Sequence, residues 1–210
     1  MRRVPLLPTL LVCLAVAAMI ALGFWQLDRR TQKQNALAVY AANVLQPTVT
    51  IDNGNADASL LFRHARSACQ AVTAWRRQGG RGIKGAQGWR QIATCRTQAN
   101  DTLLVDMGVT PDPMFRPHWP GGVVSGTLTR APDHRPLIAS VFDPAPQPLM
   151  LVSDQAAPGL EPSAPPDIST VPNNHLAYAV QWFLFAGVAI IIYVLALRLR
   201  TRGAPQPMAR

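Results

Sequence analysis

Acidic residues are missing from both ends of this sequence. All 11 lie between Asp28 and Asp167, whereas the ends carry only bases: Arg2 and Arg3 in front, Arg198, Arg200, Arg202 and Arg210 behind. A formal net charge of +9 would suit a nucleic-acid binder if a folded domain held it. Here six of the 20 Lys and Arg sit in tails beside apolar runs. Membrane topology accounts for that placement, so nucleic acid is not an expected partner.

Cysteine is scarce. Cys13 lies in the first apolar run, and Cys69 and Cys95 lie in the middle of the chain. No C-x-x-C or other zinc spacing is present. Two readings of the central pair stay open: a disulfide in an oxidising compartment, or two buried free thiols on strands. Catalytic signatures are also missing: there is no G-x-S-x-G, P-loop, H-E-x-x-H or G-x-G-x-x-G. A thiol enzyme pairing Cys69 with a histidine has no supporting spacing. Met107, Met114 and Met150 are isolated, which argues against a copper carrier. His64, His118 and His134 are scattered, and no repeat is found. The expectation is a protein that is not an enzyme.

What the sequence does have is a pair of long apolar runs. Residues 4–27 are almost wholly apolar behind Arg2 and Arg3. A signal peptide begins in the same way, and Ala15, Ala17 and Ala18 offer a cleavage site. The run continues to Leu22 and ends at Trp25, which favours a retained span with an aromatic anchor. Residues 177–197 form a second run without charge, followed by arginines. The positive-inside rule puts that end in the cytoplasm and the middle of the chain outside it. With no long Arg- and Ser-rich leader, a bacterial inner membrane is expected, with a mitochondrial inner membrane as the alternative.

The organisation read from this is a cytoplasmic start (1–3), a first span (4–27), a periplasmic domain (28–142), a Pro-rich linker (143–176), a second span (177–197) and a basic cytoplasmic tail (198–210). The first helix should run on through residues 29–45 and stop at Pro47. Strands are predicted over 48–51, 62–75, 89–97, 103–107 and 123–130. Residues 79–88 read as a glycine-rich hairpin loop. In 65–75 the odd positions form one face and Arg66, Gln70 and Arg76 the other. The fold class is a membrane protein with two transmembrane helices flanking a mainly β domain, an antiparallel barrel or sandwich. A short strand over 149–152 interrupts the linker.

The sharpest constellation lies where the second span begins. His175, Tyr178 and Trp182 are spaced i, i+3 and i+7, which places them on one helix face. One reading is structural: Asn174 caps the helix and the aromatics form an interface belt. The other is a haem site, with His175 as iron ligand, Tyr178 and Trp182 beside the macrocycle, and Trp25 and Gln26 as the opposite wall. Gly23 would let the two helices approach closely.

Two stretches resemble the surfeit locus protein one (Shy) family of cytochrome c oxidase assembly factors. Gly23-Phe24-Trp25-Gln26-Leu27-Asp28-Arg29 with Lys33 matches G-x-W-Q-x-x-R-x-x-x-K, and Asn174 to Phe183 matches N-H-L-x-Y-A-x-x-W-F. The middle departs from the family: its V-N-R-G-W-V-P corresponds to Val105-Asp106-Met107-Gly108-Val109-Thr110-Pro111, where only Val, Gly and Pro keep their places. The resemblance implies a chaperone that receives haem a from haem a synthase and helps deliver or insert it into oxidase subunit I. It makes His175 the expected axial ligand. The alternative is a scaffold that stabilises an oxidase intermediate without touching haem.

Overall fold

The computed structural model describes residues 5–52, 57–132 and 147–202, without side chains for the last two. Two compact units result: residues 37–171 form one, and the two chain ends, up to Ala36 and from Pro172, form the other.

The terminal unit is made of two helices, α1 (Leu6–Val44) and α2 (His175–Arg202). Both are long and apolar enough to cross a membrane. Their apolar side chains point outward: Leu7, Leu11 and Leu14 on α1, and Leu184, Ile191 and Ile192 on α2 are all exposed. In water such faces would be costly, and in lipid they are matched to their solvent. At 1.5 Å per residue the 39 residues of α1 reach about 58 Å. That is roughly twice the hydrocarbon thickness, so the helix runs on past its apolar half, as the lack of Pro and Gly after Gly23 requires.

The last turns of α1 belong to the central unit. Tyr40 stacks on Phe62 at 5.1 Å, and buried Asn43 donates its amide to the carbonyl oxygens of Leu61 (2.9 Å) and Ser59. Phe62 has φ of +65°, uncommon for a bulky residue. Its N–H bond to the Leu128 carbonyl (2.8 Å) helps to hold that conformation.

Six strands follow: β1 (Val49–Thr50), β2 (His64–Arg81), β3 (Gln87–Thr97), β4 (Thr102–Thr110), β5 (Gly122–Arg130) and β6 (Leu149–Ser153). They pair in the order β1-β2-β3-β4-β6-β5, and β5 also pairs with β2, so the circuit of neighbours from β2 onward is continuous. The sheet is mixed and not purely antiparallel, because β1 runs parallel to β2 and β6 parallel to β4. β2 can serve β5 and β3, besides the short β1, because it is long and bulged. Its first residues pair with β5 and the remainder with β3, with register shifts between Cys69 and Ala71 and between Val72 and Ala74. Inward alternation holds for Ala65, Ser67 and Cys69 and is lost beyond the first bulge. That is why the parity read from the sequence extends only half way.

Cys69 and Cys95 are joined by a disulfide, their Cα atoms 5.3 Å apart. Of the two readings of the pair, the bonded one is observed, and it leaves neither thiol as a nucleophile. The predicted loop at 79–88 is shorter than expected: Gly79, Gly80 and Gly88 lie within β2 and β3.

The stretch read as an extended linker is also different. Its strand β6 is buried at all five residues and sits between β4 and β5. Beyond it the chain is strapped to the sheet. Val109 and Glu161 exchange backbone hydrogen bonds at 2.7 and 2.9 Å, Ile83 donates to the Pro162 carbonyl (2.9 Å), and Ala164 donates to Arg81 (2.8 Å). Prolines cannot donate, but their carbonyls and their neighbours can still join a ladder.

The disulfide closes a loop of 26 residues in sequence separation. A cross-link of that span is expected to stabilise the domain by about 2–4 kcal/mol. Urea unfolding followed by tryptophan fluorescence should therefore show a lower midpoint after reduction. An unchanged midpoint would contradict the bond.

Candidate functional site

The site predicted at the start of the second span lies within the two-helix unit, and it begins with a close approach. A Cβ placed on Gly23 would fall 2.5 Å from the Phe183 ring. Only a glycine leaves that space, and with it α1 and α2 meet directly. Phe24 packs edge-on against the same ring at 5.5 Å. On α2, Ala179 and Ala186 are buried, each about one turn from Phe183. Further along, Thr9 and Tyr193 share a hydrogen bond between hydroxyls.

One turn from Gly23, His175 meets Gln26. The Gln26 Oε1 can only accept, so the imidazole Nδ1, at 2.8 Å, carries the proton and donates it. The tautomer that results keeps its lone pair on Nε2. Fixing one ring nitrogen by an outer partner and freeing the other is the usual preparation of a histidine for a metal. Gln26 is thus the orienting partner of His175, where the sequence had suggested a wall residue.

The aromatic residues are arranged less tightly. Tyr178 and Trp25 are each about half exposed. Trp182 is partly covered, and its ring contacts Phe185 at 6.2 Å. Among the described residues, no ring contact joins Trp25 to Tyr178 or Trp182. Their faces are open to a large apolar group. The residues present therefore fit a haem: one neutral imidazole nitrogen for the iron, and exposed aromatic surface beside it.

The domain contains a buried polar cluster that sequence reasoning missed. Asp106 is completely buried. Ser163 Oγ and the Gly108 N–H donate to its Oδ1 at 2.8 and 3.1 Å, and Arg90 Nε lies 3.1 Å from Oδ2. Burial pushes this carboxyl above its ordinary 3.8, and outweighs the Arg90 charge and the two hydrogen bonds. Gly108 has φ of +124°, and a Cβ there would strike the Glu161 carbonyl at 2.6 Å. This gives a physical reason for the glycine that the altered central motif retains. Ser163 is distant in sequence, so no local signal pointed to the cluster.

Of the scattered histidines, His64 is bonded on both ring nitrogens. Nε2 donates to Asp154 (2.8 Å), and Nδ1 accepts from the Thr48 hydroxyl (3.0 Å). His118 is exposed, and His134 lies outside the described residues. No group of three or more His, Cys, Asp or Glu able to hold a metal ion occurs among the described residues.

A family model described as the SURF1 family matches residues 13–187, which include most of α1, the whole domain and the first turns of α2. No curated protein matches the chain.

Two outcomes follow for the packing. With Cys13 replaced by serine, cysteines at Thr9 and Tyr193 should be joined by a short bis-maleimide. Adding Gly23→Leu, an overpacking change of about 1–3 kcal/mol, should cut that yield several-fold. An unchanged yield would contradict the Gly23–Phe183 contact. For Asp106, the native state holds its proton to higher pH than the unfolded chain does. Stability is then full below the unfolded value and falls as pH rises through the folded one. Asp106→Asn removes this titration, so its unfolding midpoint should gain on wild type as pH rises above the ordinary carboxylate value of 3.8. A wild type that gains on the variant over that range would show that Arg90 dominates.

Proposed function

This chain belongs to the SURF1 family, which is associated with cytochrome c oxidase assembly, and we propose that its own part is to hold haem a transiently and pass it towards oxidase subunit I. The observation that carries this reading is the His175–Gln26 hydrogen bond, which leaves Nε2 as a free donor. In this role the protein is a chaperone. It needs no bond of a substrate to be broken, and its residues bind, orient and release. His175 Nε2 would take the iron, Gln26 would keep the ring in place, and Tyr178, Trp182 and Trp25 would shelter the macrocycle. A single ligand on an open face suits a cargo that must leave again. Haem a synthase is the natural donor in such a relay.

The same reading sets the topology. Two apolar helices mark the chain as membrane-associated. Arginines after the second span would hold that end in the cytoplasm, and the domain would face the periplasm of a bacterial inner membrane. The Cys69–Cys95 disulfide suits an oxidising compartment. The continuous circuit of strand pairings we take as a small barrel.

The test is a reduced-minus-oxidised spectrum of membranes from a deletion strain, complemented with wild type or with His175→Ala. Wild type alone should restore the haem a band. Restoration by both would favour the scaffold reading, and a full band in the uncomplemented strain would remove the assembly role in that organism.

A further inference from the structure

An open cleft of about 570 Å³ lies in the β domain, within the range of about 300–1,000 Å³ typical of small-molecule sites. None of its lining residues belongs to the helix pair. One wall is built by His64 and Arg66, two apart on β2 and so on one face. Their cross-strand neighbours on β5 are Thr127 and Ser125. The chain just after β6, from Gln155 to Pro158, lines the cleft as well, as does Trp119. Buried Met107 and Val124 contribute apolar surface.

The charges at this cleft do not cancel. Asp154 and Thr48 take up both nitrogens of His64, so the Asp154 carboxylate is already engaged. Arg66 is exposed, and its side chain has no hydrogen bond or ion pair among the described residues. A guanidinium is a rigid fork that matches a carboxylate with two parallel hydrogen bonds. Beside it stand a hydroxyl donor, Ser125, and an indole and a thioether able to cover an apolar or aromatic body. A single uncompensated cation against a half-apolar lining suits a monoanion better than a polyphosphate.

From this we propose that the cleft binds a small carboxylate-bearing ligand with an apolar body, its carboxylate on Arg66 and its body against Met107, Trp119 and Val124. The site is separate from the helix pair and stands whether or not His175 binds haem.

The probe for this is 4-benzoylbenzoate, a water-soluble photoreactive carboxylate, with 4-benzoylbenzamide as its uncharged control. Full-length protein in nanodiscs is irradiated with each, and labelled peptides are mapped by mass spectrometry. Saturable labelling at Met107 or Trp119 is expected with the acid, at least tenfold weaker with the amide. Arg66→Gln should lose the acid labelling to a similar degree and Arg66→Lys should regain part of it. Equal labelling by acid and amide, equal labelling of wild type and Arg66→Gln, or labelling that does not saturate would overturn the proposal. The comparison of acid with amide uses wild-type protein alone, so the test holds even if a variant misfolds.

Discussion

The contact between Gly23 and Phe183 is the constraint on which the proposed site depends. Two apolar helices gain little from hydrophobic burial against each other in lipid, because the acyl chains are equally apolar. Their association has to come from close packing and from polar groups that find a partner. Gly23 gives up its side chain so that the Phe183 ring can sit against the backbone of α1. Once the helices are that close, Gln26, one turn further on, reaches His175. Any side chain at position 23 would press against both the packing and the hydrogen bond. The G-x-W-Q and N-H-L patterns are in that sense two halves of one contact.

The domain is held by a different set of forces. β2 turns from one partner to another at its bulges, and the disulfide ties it to β3 at that point. The chain after β6 then covers the far side of β4 through backbone hydrogen bonds to Val109, Ile83 and Arg81. Under that cover sits Asp106, a carboxylate whose burial is only partly offset by Arg90, Ser163 and Gly108. A buried ion pair is weak evidence for stability, because desolvation can exceed the attraction. What this one does fix is the position of the strap, since Ser163 is supplied by the strap itself.

Much of this was legible in the residues. The apolar runs gave both helices, the lack of helix breakers carried α1 to Val44, and five strands were placed, although β2 runs on to Arg81 where the expected strand stopped at 75. The four residues near the helix contact, His175, Tyr178, Gln26 and Gly23, were also visible, because helical spacing is short-range. What was not legible depends on distant pairing. The parallel neighbours of β1 and β6 leave no local mark. The short strand at 149–152 was visible, but nothing in its composition marked it as central to the sheet, between β4 and β5. Ser163, which bonds Asp106, and Asp154, which bonds His64, come from 57 and 90 residues away, and no periodicity encodes them.

The central claim is that His175 is an iron ligand whose free nitrogen is prepared by Gln26. The most direct measurement is titration of purified full-length protein in detergent with haem a, followed by optical and magnetic circular dichroism spectra. The account predicts saturable binding with a histidine-ligated signature in wild type, none in His175→Ala, and affinity lowered about 10–100-fold in Gln26→Ala, as for the loss of an orienting partner. The same saturable signature in His175→Ala would contradict it.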